Sequence, residues 1–414
     1  MAIFDMRSMR VGLAVILFCV GNALVGAADE QATAAAKASL GRVEASRKER
    51  PGDGLLVYYE ATIRLRLGER EKAFELLRSL KGRKLGLVPA RDTGFDAVWD
   101  DPEFRKIRTE LASDEAETPA APVAFRLSDP RLIPEGIAHA ETSNRFFLGS
   151  IAQRKIVVAD GKGVARDFSK PSDKLDAVLG LAVDAARGHL YAVSTNGFLD
   201  EASKERRNSV ARYDLKTESL LDRFDAPDAV QLNDVTIAPD GTLYATDSGG
   251  ATLFRRKPDE GMLKPFGEKG DLRGANGIAL GTDGALYVTS STGIARVDTT
   301  TGKPTRLPQP DSIVTGGIDG LYWDKGDLIG IQNSTNPGRV VRIKLEHKGN
   351  RIAGLTVLQS HHHPDFAEPT TGVIANGKLH VIANSYVGHF QPDGTIKDLE
   401  ALKGTAIVAV PLNR

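Results

Sequence analysis

The 414-residue chain has a single cysteine, so no disulfide can form within it. It also lacks an excess of charge of either sign, with 54 Lys and Arg facing 54 Asp and Glu. Proteins that grip nucleic acid neutralise phosphates with surplus basic side chains, and a balanced chain has none to spare. Aromatic residues are scarce at 6%. Beyond the N-terminus no apolar run approaches the roughly 20 residues a membrane-spanning helix needs. Glycine is abundant instead, at 42 residues, about 10% of the chain against a usual roughly 7%. Length and apolar content suffice for two or more domains, and the glycine points to a turn-rich all-β body.

Near the N-terminus, Arg7 and Arg10 precede an apolar run from Val11 to Val20, and Val25-Gly26-Ala27 supplies small residues for cleavage. This pattern predicts a secretory signal peptide over residues 1–27 and a periplasmic or secreted protein with no membrane span after cleavage. Cys19 lies inside that leader, so the exported chain has no thiol.

Residues 28–113 read as helical. Pro51-Gly52-Asp53-Gly54 breaks an Ala-, Lys- and Arg-rich stretch. Leu56, Tyr59, Ile63 and Leu67 then fall at helical spacing, Gly68 interrupts, and Ala73, Leu76, Leu77 and Leu80 begin a second apolar face. The hairpin, with small residues at Ala61, Gly68 and Ala73, resembles one unit of a tetratricopeptide repeat, which makes the segment a candidate docking surface for a protein partner. Phe95, Val98, Trp99, Phe104, Ile107 and Leu111 predict further helix. Residues 114–122 (DEAETPAAP) then read as a linker.

From residue 123 to 414 one pattern recurs: a small turn, a short apolar strand, a polar turn and a second apolar strand. Its copies begin at Gly136, Gly180, Asp234, Gly277, Gly320 and Gly372, at spacings of 43 to 54 residues. That is the length of one four-stranded propeller blade, so the prediction is an all-β six-bladed β-propeller behind a small helical domain. The strand of residues 405–412 has no partner downstream and the strand near 123–127 none upstream, so their pairing would close the ring. Aromatic residues at strand positions, such as Tyr191, Tyr244, Tyr287 and Trp323, read as packing between blades.

Residues that open the innermost strands of a propeller meet at its axis. Glu135, Asn233, Asn276 and Asp319 occupy that place in four repeats, beside Gly136, Asp234, Gly277 and Gly320. Two carboxylates buried together need a cation between them. An all-oxygen set of this kind suits Ca²⁺ first, with Mn²⁺, Mg²⁺ or Zn²⁺ as alternatives. Asn and Asp beside Gly also serve as turn residues, but Glu135 has no such use. Asn333 and Thr371 lie where they could contact a substrate. Asp240-Gly241, Asp283-Gly284 and Asp393-Gly394 read as hairpin turns. Asp247-Ser248-Gly249-Gly250 has no accompanying histidine motif and is not read as a nucleophile site. His361-His362-His363 reads as loop surface or a lip over the channel mouth, and residues 201–208 as a solvated loop.

On PEGIA at 134–138, LNDVTIAPDGTLYATDS at 232–248, ANGIALGTDGALYVTSS at 275–291 and IDGLYWDKGDLIGI at 318–331, the chain resembles the SMP-30/gluconolactonase/LRE-like propellers, and more distantly the paraoxonases and strictosidine-synthase-like proteins. The resemblance covers about residues 125–412. It implies one catalytic divalent metal held by Glu135, Asn276 and Asp319, with Asn233 as a ligand or substrate contact and Asp319 also the acid/base. The chain departs from the family's sugar-lactone pattern R-x-N-D-G, carrying Gln231 at the substrate-contacting Arg, and has Gly180 where paraoxonase-like proteins place a histidine. The implied activity is hydrolysis of a lactone or ester. A non-catalytic binding module with a structural metal is the reading from another class.

Overall fold

The computed structural model describes residues 24–91, 93–197 and 205–413. The leader up to residue 23, Cys19 included, lies outside the described residues, as do residues 201–204 of the charged run.

Among the described residues, four α-helices precede the strands: α1 (Leu24–Glu49), α2 (Gly54–Arg66), α3 (Arg70–Arg78) and α4 (Pro102–Ala112). Asp53 caps α2 by accepting the Leu55 N–H at 3.1 Å, and Asp101 caps α4 by accepting from Glu103 and Phe104 ahead of a helix that opens on proline. Gly68 turns the chain between α2 and α3 at φ 76°, a conformation glycine adopts without steric cost. Leu55, Tyr58, Phe74, Leu77, Phe95, Phe104, Ile107 and Leu111 form one core, and Val314 of the β domain completes it.

Among the described residues, the strands form six four-stranded antiparallel sheets arranged as the blades of a propeller. Their innermost strands are Pro134–Ala140, Ala177–Asp184, Leu232–Ile237, Ile278–Leu280, Ile318–Asp324 and Gly372–Ala375, and each packs against the next around the axis. In the sixth sheet, Val123–Arg126 supplies the outermost strand and pairs with Ala406–Pro411. The ring therefore closes by joining the first strand to the last. Apolar side chains fill the seams between blades: Phe147, Ile156, Leu190 and Tyr213 between the first two, and Phe125, Phe146, Leu148 and Ile407 across the closure. Each such burial contributes about 1.5–3 kcal/mol. Gly241, Gly284 and Gly394 sit at positive φ in their turns, each beside an Asp that accepts a backbone N–H two residues on.

Residues 114–122 are fastened along the propeller. Ala121 donates its N–H to Gln359 Oε1 at 2.8 Å, Thr118 Oγ1 accepts the Ser360 N–H at 2.8 Å, and His363 Nε2 meets the Ala121 carbonyl at 2.9 Å. His361 lies 2.5 Å from Glu115 and His362 3.1 Å from Ser360, so the three histidines serve this seam.

Candidate functional site

Among the described residues, four inner strands break register, one of them between Val178 and Leu181 and the other three at the candidate site residues. Those three irregularities lie between Pro134 and Gly136, between Leu232 and Val235, and between Ile318 and Leu321, spanning Glu135, Asn233 with Asp234, and Asp319. A bulge leaves residues out of the ladder and re-aims their side chains. The neighbouring glycines have a separate cause. A Cβ on Gly136 would lie 2.0 Å from the Leu179 carbonyl of the next blade, and one on Gly277 2.3 Å from that of Asp319. These glycines let adjacent inner strands touch at the axis, rather than bending a turn.

Glu135, Asn233 and Asp319 are 3%, 4% and 5% exposed, and Asn276 is half-buried. Glu135 Oε2, Asn276 Oδ1 and Asp319 Oδ1 are, among the described residues, the buried side-chain carbonyl and carboxylate oxygens without a hydrogen-bond partner. Each orphaned acceptor costs about 1–3 kcal/mol, more when charged. Asn333 Nδ2 donates to Asp319 Oδ2 at 2.7 Å and to the Pro369 carbonyl at 2.8 Å. Asn233 Nδ2 donates to Ser248 Oγ at 3.1 Å, and Ser248 donates onward to the Ala275 carbonyl at 2.5 Å. Thr371 donates its hydroxyl to the Glu135 carbonyl. Gln231 is half-buried, and its backbone N–H goes to Asp247 Oδ1 at 2.8 Å while its side chain lies against Gly197.

Burial, with the charges of Asp319 and Asp234 nearby, pushes the Glu135 carboxyl well above its ordinary range. Burial likewise pushes Asp319 up, against the lowering effect of the Asn333 amide. Asp234 is a third carboxylate, which comparison of the repeats misses because it stands where other repeats have glycine. Burial raises it to about 7, although it accepts the Val235 N–H at 2.8 Å and the Ile278 N–H at 3.2 Å. Strand aromatics suggest packing between blades, but the Tyr322 hydroxyl accepts the Gly372 N–H at 2.5 Å, and burial beside the three carboxylates pushes its ionisation far upward. No sequence signal separates Tyr322 from the other strand tyrosines. Ser248, the brace for Asn233, has its motif explained by its hydrogen bonds.

The structure thus brings Glu135, Asn276, Asp319 and Asn333 into one cluster, with Asn233 and Thr371 tied to it through Ser248 and the Glu135 backbone. Among the described residues no group of three or more His, Cys, Asp or Glu side chains has metal-holding geometry. The candidate set draws half of its oxygens from amides instead. Its donors are hard oxygens, and two or more carboxylates share a space from which their charge is unfavourable, so the residues fit a divalent cation.

No family model matches the chain, and no curated protein matches it in sequence. Solved structures do match in fold. A Thermus thermophilus protein described as a putative oxidoreductase (glucose dehydrogenase) is 16% identical at a TM-score of 0.50, covering 70% of this chain and 99% of its own. The PQQ-bound aldose sugar dehydrogenase of Streptomyces coelicolor is 16% identical at 0.48, over 70% and 97%. A Xanthomonas campestris gluconolactonase is 17% identical at 0.46, over 72% and 99%. At these identities the likeness is one of fold and assigns no chemistry; the propeller is read from the chain's own six sheets.

Proposed function

We propose that this chain is an exported, divalent-cation-dependent hydrolase of a lactone or ester. The observation that carries this reading is the set of three buried acceptors with no donor, Glu135 Oε2, Asn276 Oδ1 and Asp319 Oδ1. These residues, with Asn233, would hold the cation, Ca²⁺ first and Mn²⁺, Mg²⁺ or Zn²⁺ as alternatives. When bound, it would supply Lewis-acid polarisation of the substrate carbonyl and lower the pKa of water. Asp319 doubles as the acid/base of this reading: Asn333 holds one of its oxygens, and the oxygen without a donor, beside the cation it would help to hold, would take a proton from attacking water and return it to the leaving alkoxide. Asn333, half-buried, is a substrate contact of this reading through its amide oxygen, since its N–H groups are taken by Asp319 and the Pro369 carbonyl. Thr371 braces Glu135, and Gln231 stands as a further substrate contact.

A non-catalytic propeller with a structural cation is the second reading, favoured by the near-complete burial of Glu135 and Asp319. Chelated protein would be assayed on sugar, acyl-homoserine and aromatic lactones with Ca²⁺, Mn²⁺ or Zn²⁺ restored separately. Turnover restored by a cation and lost in Asp319→Asn supports the hydrolase. Stoichiometric cation binding without any turnover favours the structural role, and absence of both overturns the site.

A further inference from the structure

The helical segment is fastened to the end of the propeller that carries the site. The loops following Ser290 and Gln332 lie at the same end as Asn276 and Asp319, because their strands run antiparallel to the inner ones. Tyr59 Oη of α2 donates to the Ser291 carbonyl at 2.7 Å, and Leu55 packs so closely on Gly316 that a Cβ there would clash. The Val88 N–H goes to the Thr335 carbonyl at 2.9 Å, and Asn336 Nδ2 to the Gly86 carbonyl at 3.0 Å. At the centre of this seam is Arg339, whose side chain is 3% exposed. Its guanidinium donates to Glu115 Oε1 at 2.5 Å, to the Leu85 carbonyl at 3.1 Å and to Gln332 Oε1 at 2.8 Å. Gln332 Nε2 in turn donates to the Gly316 carbonyl at 2.5 Å. The next residue along the chain is Asn333, which holds Asp319.

We propose that the N-terminal segment is a working part of the channel site: gripped by Glu115 and the Leu85 carbonyl, Arg339 is a positioning residue that fixes Gln332 and thereby holds Asn333 against Asp319. An apolar seam of the same volume would fasten the segment without desolvating two charges. A forked guanidinium adds direction, tying three separate chain segments at set angles. Glu115 stays ionised in this place, because His361 and Arg339 outweigh the upward effect of burial and hold its carboxyl at about 2. The proposal rests on the reading of Asp319 as a site residue, and its test does not require a bound cation.

In the full chain, ¹⁵N-labelled and chelated, the Asn333 side-chain amide is identified by its loss in Asn333→Ala. Its resonance position and hydrogen-exchange rate are then followed in Glu115→Gln and in Arg339→Lys. The second variant keeps the buried positive charge beside Glu115 but loses the fork, so it remains informative where the first unfolds. The expected result is an Asn333 amide that moves and exchanges at least about tenfold faster, while backbone amides in the first three blades stay in place. An unmoved Asn333 amide in a folded variant overturns the proposal, as does a change spread equally over all six blades. Calcium titration of the same samples forms the second arm. Weaker binding in Glu115→Gln, with the loss absent when Asn333→Ala is already present, supports action through Asn333. Additive losses overturn it. A wild-type chain that binds no cation defeats the metal reading alone, since the amide signal already decides the positioning role.

Discussion

Burying Glu135 beside Asp319 is unfavourable for both when each is charged, and the same burial raises the proton affinity of both. Removing one charge while keeping the shape should therefore help the cation-free protein. Glu135→Gln and Asp319→Asn are expected to stabilise the chelated chain by about 1–3 kcal/mol and to abolish its stabilisation by Ca²⁺. Thermal melts with chelator and with added Ca²⁺ measure both effects, and a wild-type chain more stable than both variants under chelation would contradict the account. Asn333→Ala carries a different expectation. It strips Asp319 of its donor at 2.7 Å, so the chelated chain should lose about 1–3 kcal/mol by the same melts.

Blade architecture explains why residues of this kind recur beside glycine. At Gly136 and Gly277 one inner strand approaches the next so closely that a side chain is excluded, and in the strands of Glu135 and Asp319 a bulge re-aims the residue beside the glycine. Gly136→Ala, which places a methyl 2.0 Å from a backbone carbonyl, should cost at least about 3 kcal/mol or prevent folding. Gly284→Ala meets nothing within 4 Å and bears only the strain of φ 78°, so a loss of about 1 kcal/mol is expected. Chemical denaturation of the two variants side by side checks the contrast. The repeat signal makes Gly136 and Gly277 visible in the sequence, where their role reads as turn formation. Contact between strands more than forty residues apart is what overturns that reading.

The whole molecule should report its channel through pH. Carboxyls raised by folding bind protons that the unfolded chain does not, so the stability of the chelated protein gains from them as pH falls, by up to about 1.4 kcal/mol per pH unit for each group. The window runs from about 7, where Asp319 and Asp234 titrate, down to the ordinary 3.8. His380, which burial pulls down to about 4, acts oppositely, losing stability as pH falls from 6.5. The channel is isolated by the gap in melting temperature between wild type and Asp319→Asn under chelation, which should narrow from pH 7 to pH 4. Saturating Ca²⁺ should remove that behaviour. Ring closure is the other property of the whole: ending the chain at Gly404 removes Ala406–Pro411 from between two strands and should yield aggregated protein by size-exclusion chromatography.

Spacing and turn chemistry determined six blades, the closing strand pair and the candidate residues Glu135, Asn233, Asn276 and Asp319, because a repeat writes one local structure many times along the chain. Asp234 and Tyr322 were not legible, since a carboxylate in a glycine's place and a strand tyrosine acquire meaning only from what lies across the axis. The linker reading of residues 114–122 rests on composition, which is blind to the hydrogen bonds that strap this stretch to the blades. Only the tertiary structure decided that the helical segment grips the loop carrying Asn333, because the Arg339, Glu115 and Leu85 contacts join residues more than two hundred positions apart, and no local pattern encodes such a meeting.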